Sequence, residues 1–506
     1  MNKKIKNSQE LEKIVIDSKK SSKKSVLCHG TFDLVHLGHI KHFEDAKKLG
    51  DILIVSVTSD EFVFKGPNRP KFKIRQRMEM LSNIQLIDYV IESKSISAIP
   101  IIKKIKPNIY CKGPDYKNHS SDISNNISKE ADAVRAVKGK IIYTDSETFS
   151  SSELLNTFDE SITNKEKIYL ESVKKLINNN EIKNYFEKIS SKNVLIIGET
   201  IIDEYVFCDA IGKSGKEPVL VVQDKSKDKY LGGAGAVANN VSNFTNNVSY
   251  LSLLGEKNSQ ENFVKKSLSK NIKKQFFYKE DSPTINKKRY VDKISNSKIL
   301  GVYSMNDEPL PNNTEKKLFK WIDMNISKFD VVIVTDYGHG MISQSIASLI
   351  CKKSKYLAVN SQINASNMSH QNINKYKNFD LLVINENELR HDLRDKSSSI
   401  ELLSEKIKKN LRVKKTLITC GSEGAMMTLN SNKKIYSPAF AKKVIDKVGA
   451  GDAMLSILAL SDSCGIKNEI SILLGSLAAA QSIETIGNSR SINKLQLSKA
   501  LQYILK

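Results

Sequence analysis

Two short strings in this chain carry side chains that could do chemistry. The first is His29-Gly-Thr-Phe-Asp-Leu-Val-His36-Leu-Gly-His39. Histidines three residues apart at a helix start share one face, so both rings can reach the same ligand. Gly38 between them withholds a side chain where a phosphate would approach the backbone. Free N–H groups and the positive end of a helix dipole attract an anion there. Two imidazoles added to that field suit an α-phosphate that gains charge as pyrophosphate departs. The second string is Gly449-Ala450-Gly451-Asp452, which opens the apolar stretch Ala453-Met-Leu-Ser-Ile. Small residues at a helix start form an anion hole, and a carboxylate beside it can take a proton from a substrate hydroxyl. That is equipment for phosphoryl transfer from a nucleotide to an alcohol.

Such chemistry needs elements to aim it. Residues 25–30 and 51–57 are apolar runs of strand length, and the helix-periodic segment 36–49 between them closes at Gly50, a residue suited to a helix C-terminus. Apolar strands alternating with helical patterns predict a parallel sheet buried on both faces. Further strands are expected at 89–92, 109–112 and 140–144, a second opening strand at 193–198, and later ones at 331–335, 356–359, 381–384 and 416–419. The expected organisation is an extension over 1–23, an α/β domain over 24–156, a charged helical connector over 157–191 and a second α/β domain over 192–506.

Composition narrows the class. Hydrophobic residues at 40% and charged residues at 27% exclude wholesale disorder and fibrous architecture. Basic residues exceed acidic ones by 79 − 56 = 23. The lysines are spread along the whole chain without a basic block interleaved with aromatics, so charge alone does not call for nucleic acid. Six cysteines lie far apart with no CxxC pair, which argues against a disulfide framework or zinc knuckle and fits a reducing compartment. No apolar run nears the ~18 residues that span a bilayer, and the basic N-terminus lacks the apolar core of a secretion signal. A soluble, cytoplasmic protein without a dedicated protein-only metal site is expected.

The string HGTFDLVHLGH resembles the HxGH signature of the cytidylyltransferase-like nucleotidyltransferases, over about residues 24–156. Lys112-Gly-Pro-Asp-Tyr116 is similar to their K-G-x-D-Y segment, and Thr148-Phe-Ser150-Ser151-Ser152 to a late, serine-rich helix start that binds triphosphate. The resemblance implies a Rossmann-like fold with His36 and His39 catalytic. It implies nucleotide contacts from Gly30, Thr31, Phe32, Gly38, Lys65, Lys112, Ser150, Ser151 and Ser152, with Arg77 on the substrate phosphate. His29 and His42 flank the motif, and packing or surface roles are expected for them.

Three further strings accompany the second catalytic one: Gly232-Gly233-Ala-Gly-Ala236-Val-Ala-Asn239, Asn385-Glu-Asn-Glu388 and Thr419-Cys-Gly421-Ser-Glu-Gly424. Together they resemble the ribokinase-like (PfkB) sugar kinases over about residues 192–506. That resemblance implies Asp452 as catalytic base and Gly449, Ala450 and Gly451 as anion hole. It places Asp203, Gly232 and Gly233 at the sugar, and Asn385, Glu388, Thr419, Gly421 and Gly424 toward nucleotide and Mg²⁺. Asp336 and Tyr337 are expected near the active site. The chain departs from the family at Ala236, where Asn is usual, at Asn360, where a D-P-K string is usual, and at Lys447 and Val448, where small hydroxyl residues are common.

A kinase and a nucleotidyltransferase on one chain are similar to the bifunctional enzymes of ADP-heptose synthesis, with the domain order reversed. The pairing implies an α/β transferase in two domains, an N-terminal Rossmann-like HxGH nucleotidyltransferase and a C-terminal ribokinase-like kinase. Its product would be a nucleotide-activated sugar of the ADP-heptose type, a lipopolysaccharide precursor. Mg²⁺ with ATP or another NTP is the implied cofactor. The implied partners are a sugar phosphate and nucleotides, not membrane or nucleic acid, with homo-oligomerisation left open. A cytidylyltransferase for a polyol or sugar phosphate, joined to a divergent or regulatory kinase domain, stands as the alternative. A non-catalytic nucleic-acid-binding protein would not be expected to keep His36, His39 and Asp452.

Overall fold

The computed structural model describes residues 3–63, 69–114, 126–144, 163–364, 367, 371–441 and 444–505. The chain forms two compact units, Met1–Lys183 with Leu495–Lys506, and Asn184–Lys494.

The first unit is built on five parallel strands, β1 (Ser25–Gly30), β2 (Ile52–Thr58), β3 (Tyr89–Ser93), β4 (Ile109–Lys112) and β5 (Lys140–Tyr143). They lie in the order β3-β2-β1-β4-β5. Alternate residues of β1 enter opposite cores: Val26 and Cys28 pack with Phe43, Val55 and Leu81, while Leu27 packs with Leu11, Ile54 and Val134. A strand buried on both faces must be apolar throughout, which is why these runs were visible in the sequence. The connecting helices are α2 (Leu37–Lys48), α3 (Ile74–Ser82), α4 (Ile99–Ile105) and α5 (Asn126–Ala136). The segment ahead of β1 is also structured. Helix α1 (Ser8–Lys20) is capped by Asn7 and buries Leu11 and Val15. The strand order reverses between β1 and β4, so the carboxyl ends of these strands open the crevice where α/β sheets bind ligands.

The second unit carries a nine-stranded sheet in the order β10-β9-β6-β13-β14-β15-β16-β17-β18. Its strands are β6 (Asn193–Gly198), β9 (Asn247–Lys257), β10 (Ile272–Pro283), β13 (Val331–Asp336), β14 (Leu357–Ser361), β15 (Leu381–Asn385), β16 (Lys415–Thr419), β17 (Ala425–Thr428) and β18 (Lys434–Ser437). β17 pairs antiparallel with both β16 and β18, and the other described pairings of this sheet are parallel. A separate four-stranded sheet, ordered β12-β11-β7-β8, comprises β7 (Thr200–Lys213), β8 (Leu220–Gly232), β11 (Ile285–Asp292) and β12 (Lys298–Ser304). Sequence patterning did not foresee this sheet. Most of β8 and β12 is exposed, so no apolar run marks them.

Two candidate catalytic sites

In the first unit the string 29–39 bridges the end of β1 and the start of α2, at the reversal of strand order. His36 is the N-cap of α2, and its backbone N–H donates to His39 Nδ1 at 3.4 Å. The two ring centroids are 4.0 Å apart. Burial pushes the His36 imidazole below its ordinary pKa. Phe32 adopts a left-handed backbone (φ 50°) and sets its ring edge-on to His39, with centroids 5.4 Å apart. A Cβ on Gly30 would lie 2.9 Å from that ring. Gly30 and Phe32 therefore shape the turn by packing. Asp33, which motif reading passed over, accepts the N–H groups of Lys71 and Phe72 at 2.9 and 3.0 Å and pairs with Arg69 at 3.3 Å. It ties the approach to α3 onto the catalytic turn.

Arg77 requires a correction. Expected on the substrate phosphate, its side chain is fully buried and committed to the protein itself. It donates to the carbonyls of Phe72 (2.9 Å) and Thr31 (2.6 Å) and pairs with Asp60 at 2.7 Å. Arg77 is thus a positioning residue that fixes the turn through Thr31. Lys112, at the carboxyl end of β4, is buried 3.4 Å from Glu130. Burial opposes ionisation of Glu130, but Lys112 and then His29 overcome it and hold the carboxyl at about 2. His29 Nδ1 lies 2.6 Å from Ser56 Oγ, and burial with the nearby Lys112 charge drives the ring to about 3. Lys65, Ser150, Ser151 and Ser152 lie outside the described residues.

In the second unit Asp452 stands in the first turn of the helix Ala450–Ser463. Gly449, its N-cap, has φ 89°, and a Cβ there would sit 2.3 Å from Asn488 Oδ1, so backbone and neighbour both demand glycine. At Gly451 an added Cβ would meet nothing within 4 Å. The helix start therefore presents its amides to open space beside the carboxylate. Asp452 is buried and accepts the Tyr337 hydroxyl at 2.8 Å. Burial raises its pKa to about 6, with the Tyr337 bond and Lys287 pulling down and Asp203 pushing up. A carboxylate so tuned accepts protons near neutrality.

Asp203 on β7 pairs with Arg289 of β11 at 2.5 Å. In register across the parallel pair, Asp203 lies opposite Lys287 and Tyr205 opposite Arg289. Neither Lys287 nor Arg289 was singled out from sequence. The alternation Lys287-Lys288-Arg289 could have found them, because residues two apart share a face of a strand. Gly232 is needed by Asp203: a Cβ there would lie 2.2 Å from Asp203 Oδ2. Gly233 has φ 56° and fits against the Glu199 carbonyl. Glu199, fully buried, accepts the N–H groups of Tyr337 and His339 at 3.1 and 3.2 Å. That anchors the turn after β13 and aims Tyr337 at Asp452. Asp336 faces away from this contact, accepting from Tyr376 (2.8 Å) and Lys375 (2.6 Å).

Asn385 and Glu388 form a capping box on the helix Glu386–Leu393, and Asn385 Nδ2 reaches the Thr419 carbonyl at 3.3 Å. Burial raises Glu388 to about 7, with Asp452 adding to the rise. Gly421 opens to free space and Gly424 (φ 94°) passes against the Ser437 carbonyl, so the turn between β16 and β17 is thin. The departures fall into packing roles. Asn360 is buried and donates to the Val383 carbonyl at 2.8 Å. Val448 N–H donates to Asp446, which also accepts from Tyr205 and Lys298. Ala236 is buried in the helix Gly233–Ser242.

Residues 191–495 match the family model of the pfkB family carbohydrate kinases, and residues 27–158 match the cytidylyltransferase-like model. The chain is 26% identical over 312 residues to Bifunctional protein HldE of Trichlorobacter lovleyi, covering 61% of this chain and 62% of that protein. It is 28% identical over 319 residues to Bifunctional protein HldE of Campylobacter jejuni, covering 61% and 65%. Each match thus spans less than two thirds of the relative. The kinase region lies C-terminal here, the reverse of the HldE order. Among solved structures, phosphofructokinase-2 from Escherichia coli in complex with fructose-6-phosphate superimposes with a TM-score of 0.50 at 15% identity, covering 62% of this chain and all of that one, a likeness of fold. The chain belongs to the pfkB family of carbohydrate kinases and carries a Rossmann-type, cytidylyltransferase-like domain ahead of its ribokinase-like fold.

Proposed function

We propose that the chain is a bifunctional transferase that phosphorylates a sugar phosphate at one site and nucleotidylates a sugar 1-phosphate at the other. The reading is of the ADP-heptose type: a heptose 7-phosphate 1-kinase over about 192–506 and a heptose 1-phosphate adenylyltransferase over about 24–156. The observation that supports it is the coexistence on one chain of the tilted, closely paired His36 and His39 rings at one helix start and the buried Asp452 beside an open one.

At the kinase centre Asp203 orients a sugar hydroxyl, and Asp452 takes its proton as the oxygen attacks. The amides of Gly449, Ala450 and Gly451 receive the charge of the transferring phosphoryl group. Lys287 and Arg289 sit on the strand facing Asp203, where two cations suit a substrate that already bears a phosphate. Mg²⁺ bound with the nucleotide neutralises phosphate charge. Asn385 and Glu388 are the residues here that fit it, since a buried carboxyl with a pKa near 7 ionises readily beside a cation. At the other centre a sugar-phosphate oxygen attacks the α-phosphate and pyrophosphate leaves, with His36 and His39 donating to the α-phosphate. Among the described residues no helix is long and apolar enough to cross a membrane, and we assign the enzyme to the soluble pool of cytoplasmic metabolites.

Two variants test the division of labour. His39→Ala should lower nucleotide-dependent pyrophosphate release by roughly 10²-fold or more and leave phosphorylation intact. Asp452→Asn should lower phosphorylation by about 10²–10⁴-fold and leave pyrophosphate release intact. Loss of both activities in either variant would contradict two independent centres.

A further inference from the structure

Directly beneath the His36/His39 turn, three side chains from three elements converge. Cys28 on β1 and Cys111 on β4 are register partners across the parallel pair, both fully buried and both free thiols. His42 lies one helical turn beyond His39 on α2, and one ring nitrogen of His42 and the two sulfurs all lie within 4.8 Å of one another. Nucleotidyl transfer makes no use of them, and the cysteines are too far apart in sequence to have suggested a site.

We propose that Cys28, Cys111 and His42 form a binding site for a thiophilic divalent cation of the zinc type. Two sulfurs and an imidazole are the soft and borderline donors such an ion prefers. Binding expels the two thiol protons, and two thiolates with a neutral imidazole cancel the charge of a divalent ion. A net-neutral complex is what a buried position tolerates.

The imidazole is prepared for ligation. Thr144 Oγ1 donates to the Lys112 carbonyl at 3.4 Å, so it meets His42 Nδ1, 3.0 Å away, as an acceptor. With the ring proton on Nδ1 toward Thr144, Nε2 keeps its lone pair for a ligand, the arrangement that orients metal-bound histidines. The Lys112 ammonium is balanced by Glu130, 3.4 Å away.

Zinc bonds of ~2.3 Å to sulfur and ~2.0 Å to nitrogen put the ligand atoms a little under ~4 Å apart. Side-chain rotation closes the remaining gap, and one water completes a tetrahedron. His42 is half-buried on α2 and gives the ion its way in. Bound there, the ion clamps β1, β4 and α2, the elements that hold the catalytic turn and Lys112.

Cobalt titration of the reduced, chelator-stripped full chain tests the site. One equivalent of Co²⁺ should produce a sulfur-to-cobalt charge-transfer band and the intense visible bands of a tetrahedral ion, and Zn²⁺ should bleach both. Cys111→Ser should abolish the charge-transfer signal at one equivalent. His42→Gln, at a half-buried position, should weaken Co²⁺ binding by at least the roughly tenfold that losing a supporting contact costs. Circular dichroism and urea unfolding of the first unit serve as controls for folding in both variants. Absence of the band from wild-type chain whose thiols all react after denaturation would overturn the proposal. So would a band that survives in both variants, or a Cys28–Cys111 disulfide in chain isolated with its thiols blocked at lysis.

Discussion

In its proposed role as base, Asp452 is tuned by burial, and Tyr337 trims that effect. With a pKa of about 6, the carboxyl is protonated and idle below that pH and ionised above it. Phosphorylation should therefore rise through about pH 6 and level off at higher pH. Tyr337→Phe removes the hydrogen bond that lowers the pKa, so the acid limb should move to higher pH. A limb that stays put would mean another group controls it. Arg77 shows the reverse case, a charge spent wholly on structure. Arg77→Met strands Asp60 and the Thr31 carbonyl and should cost roughly 2–4 kcal/mol in urea unfolding of the first unit. A rise in KM for the sugar phosphate with unchanged stability would restore Arg77 as a ligand. Its type and place on the helix after β2 suggested a phosphate ligand because an arginine on a helix is normally exposed. Only the fold reveals that Phe72, Thr31 and Asp60 surround it.

At the scale of elements, the helix start at 449–452 separates two uses of glycine. Gly449→Ala forces a left-handed backbone on alanine and drives its methyl onto Asn488, so it should destabilise by about 1–3 kcal/mol. Gly451→Ala meets no neighbour and gains helix propensity, so thermal stability should hold or rise. Its methyl nevertheless enters the space before the amides, and phosphorylation should fall. Thermal melts beside kcat measurements check both, and an active Gly451→Ala enzyme would remove the anion hole from that space. The core strands were legible because β1, β2, β6 and β13 are buried on both faces and spell continuous apolar runs. The sheet β12-β11-β7-β8 was not. Its strand β8 reads Leu-Val-Val-Gln-Asp-Lys-Ser-Lys-Asp-Lys-Tyr-Leu-Gly, polar because most of it faces solvent. Lys287 and Arg289 stayed hidden with it. The two helix-start strings were legible for the opposite reason, since helix-start glycines and histidines are tied to backbone geometry more than to packing.

For the whole molecule, an excess of 23 positive charges accompanies two centres whose proposed substrates are polyanions, and a positive field favours capture of nucleotides and sugar phosphates. The kinase fold follows the nucleotidyltransferase-like domain, so the proposed chemistry does not depend on the order in which the two are strung. It depends on both centres being intact, with a phosphorylated sugar at each. Mass spectrometry of the two half-reactions tests that most directly. The full chain is incubated with heptose 7-phosphate and ATP, and separately with heptose 1-phosphate and ATP or CTP. The expected products are a heptose bisphosphate in the first and ADP-heptose with an equal amount of pyrophosphate in the second. Phosphorylation without any nucleotide-sugar, or nucleotidylation without any phosphorylation, would contradict a bifunctional enzyme of this type.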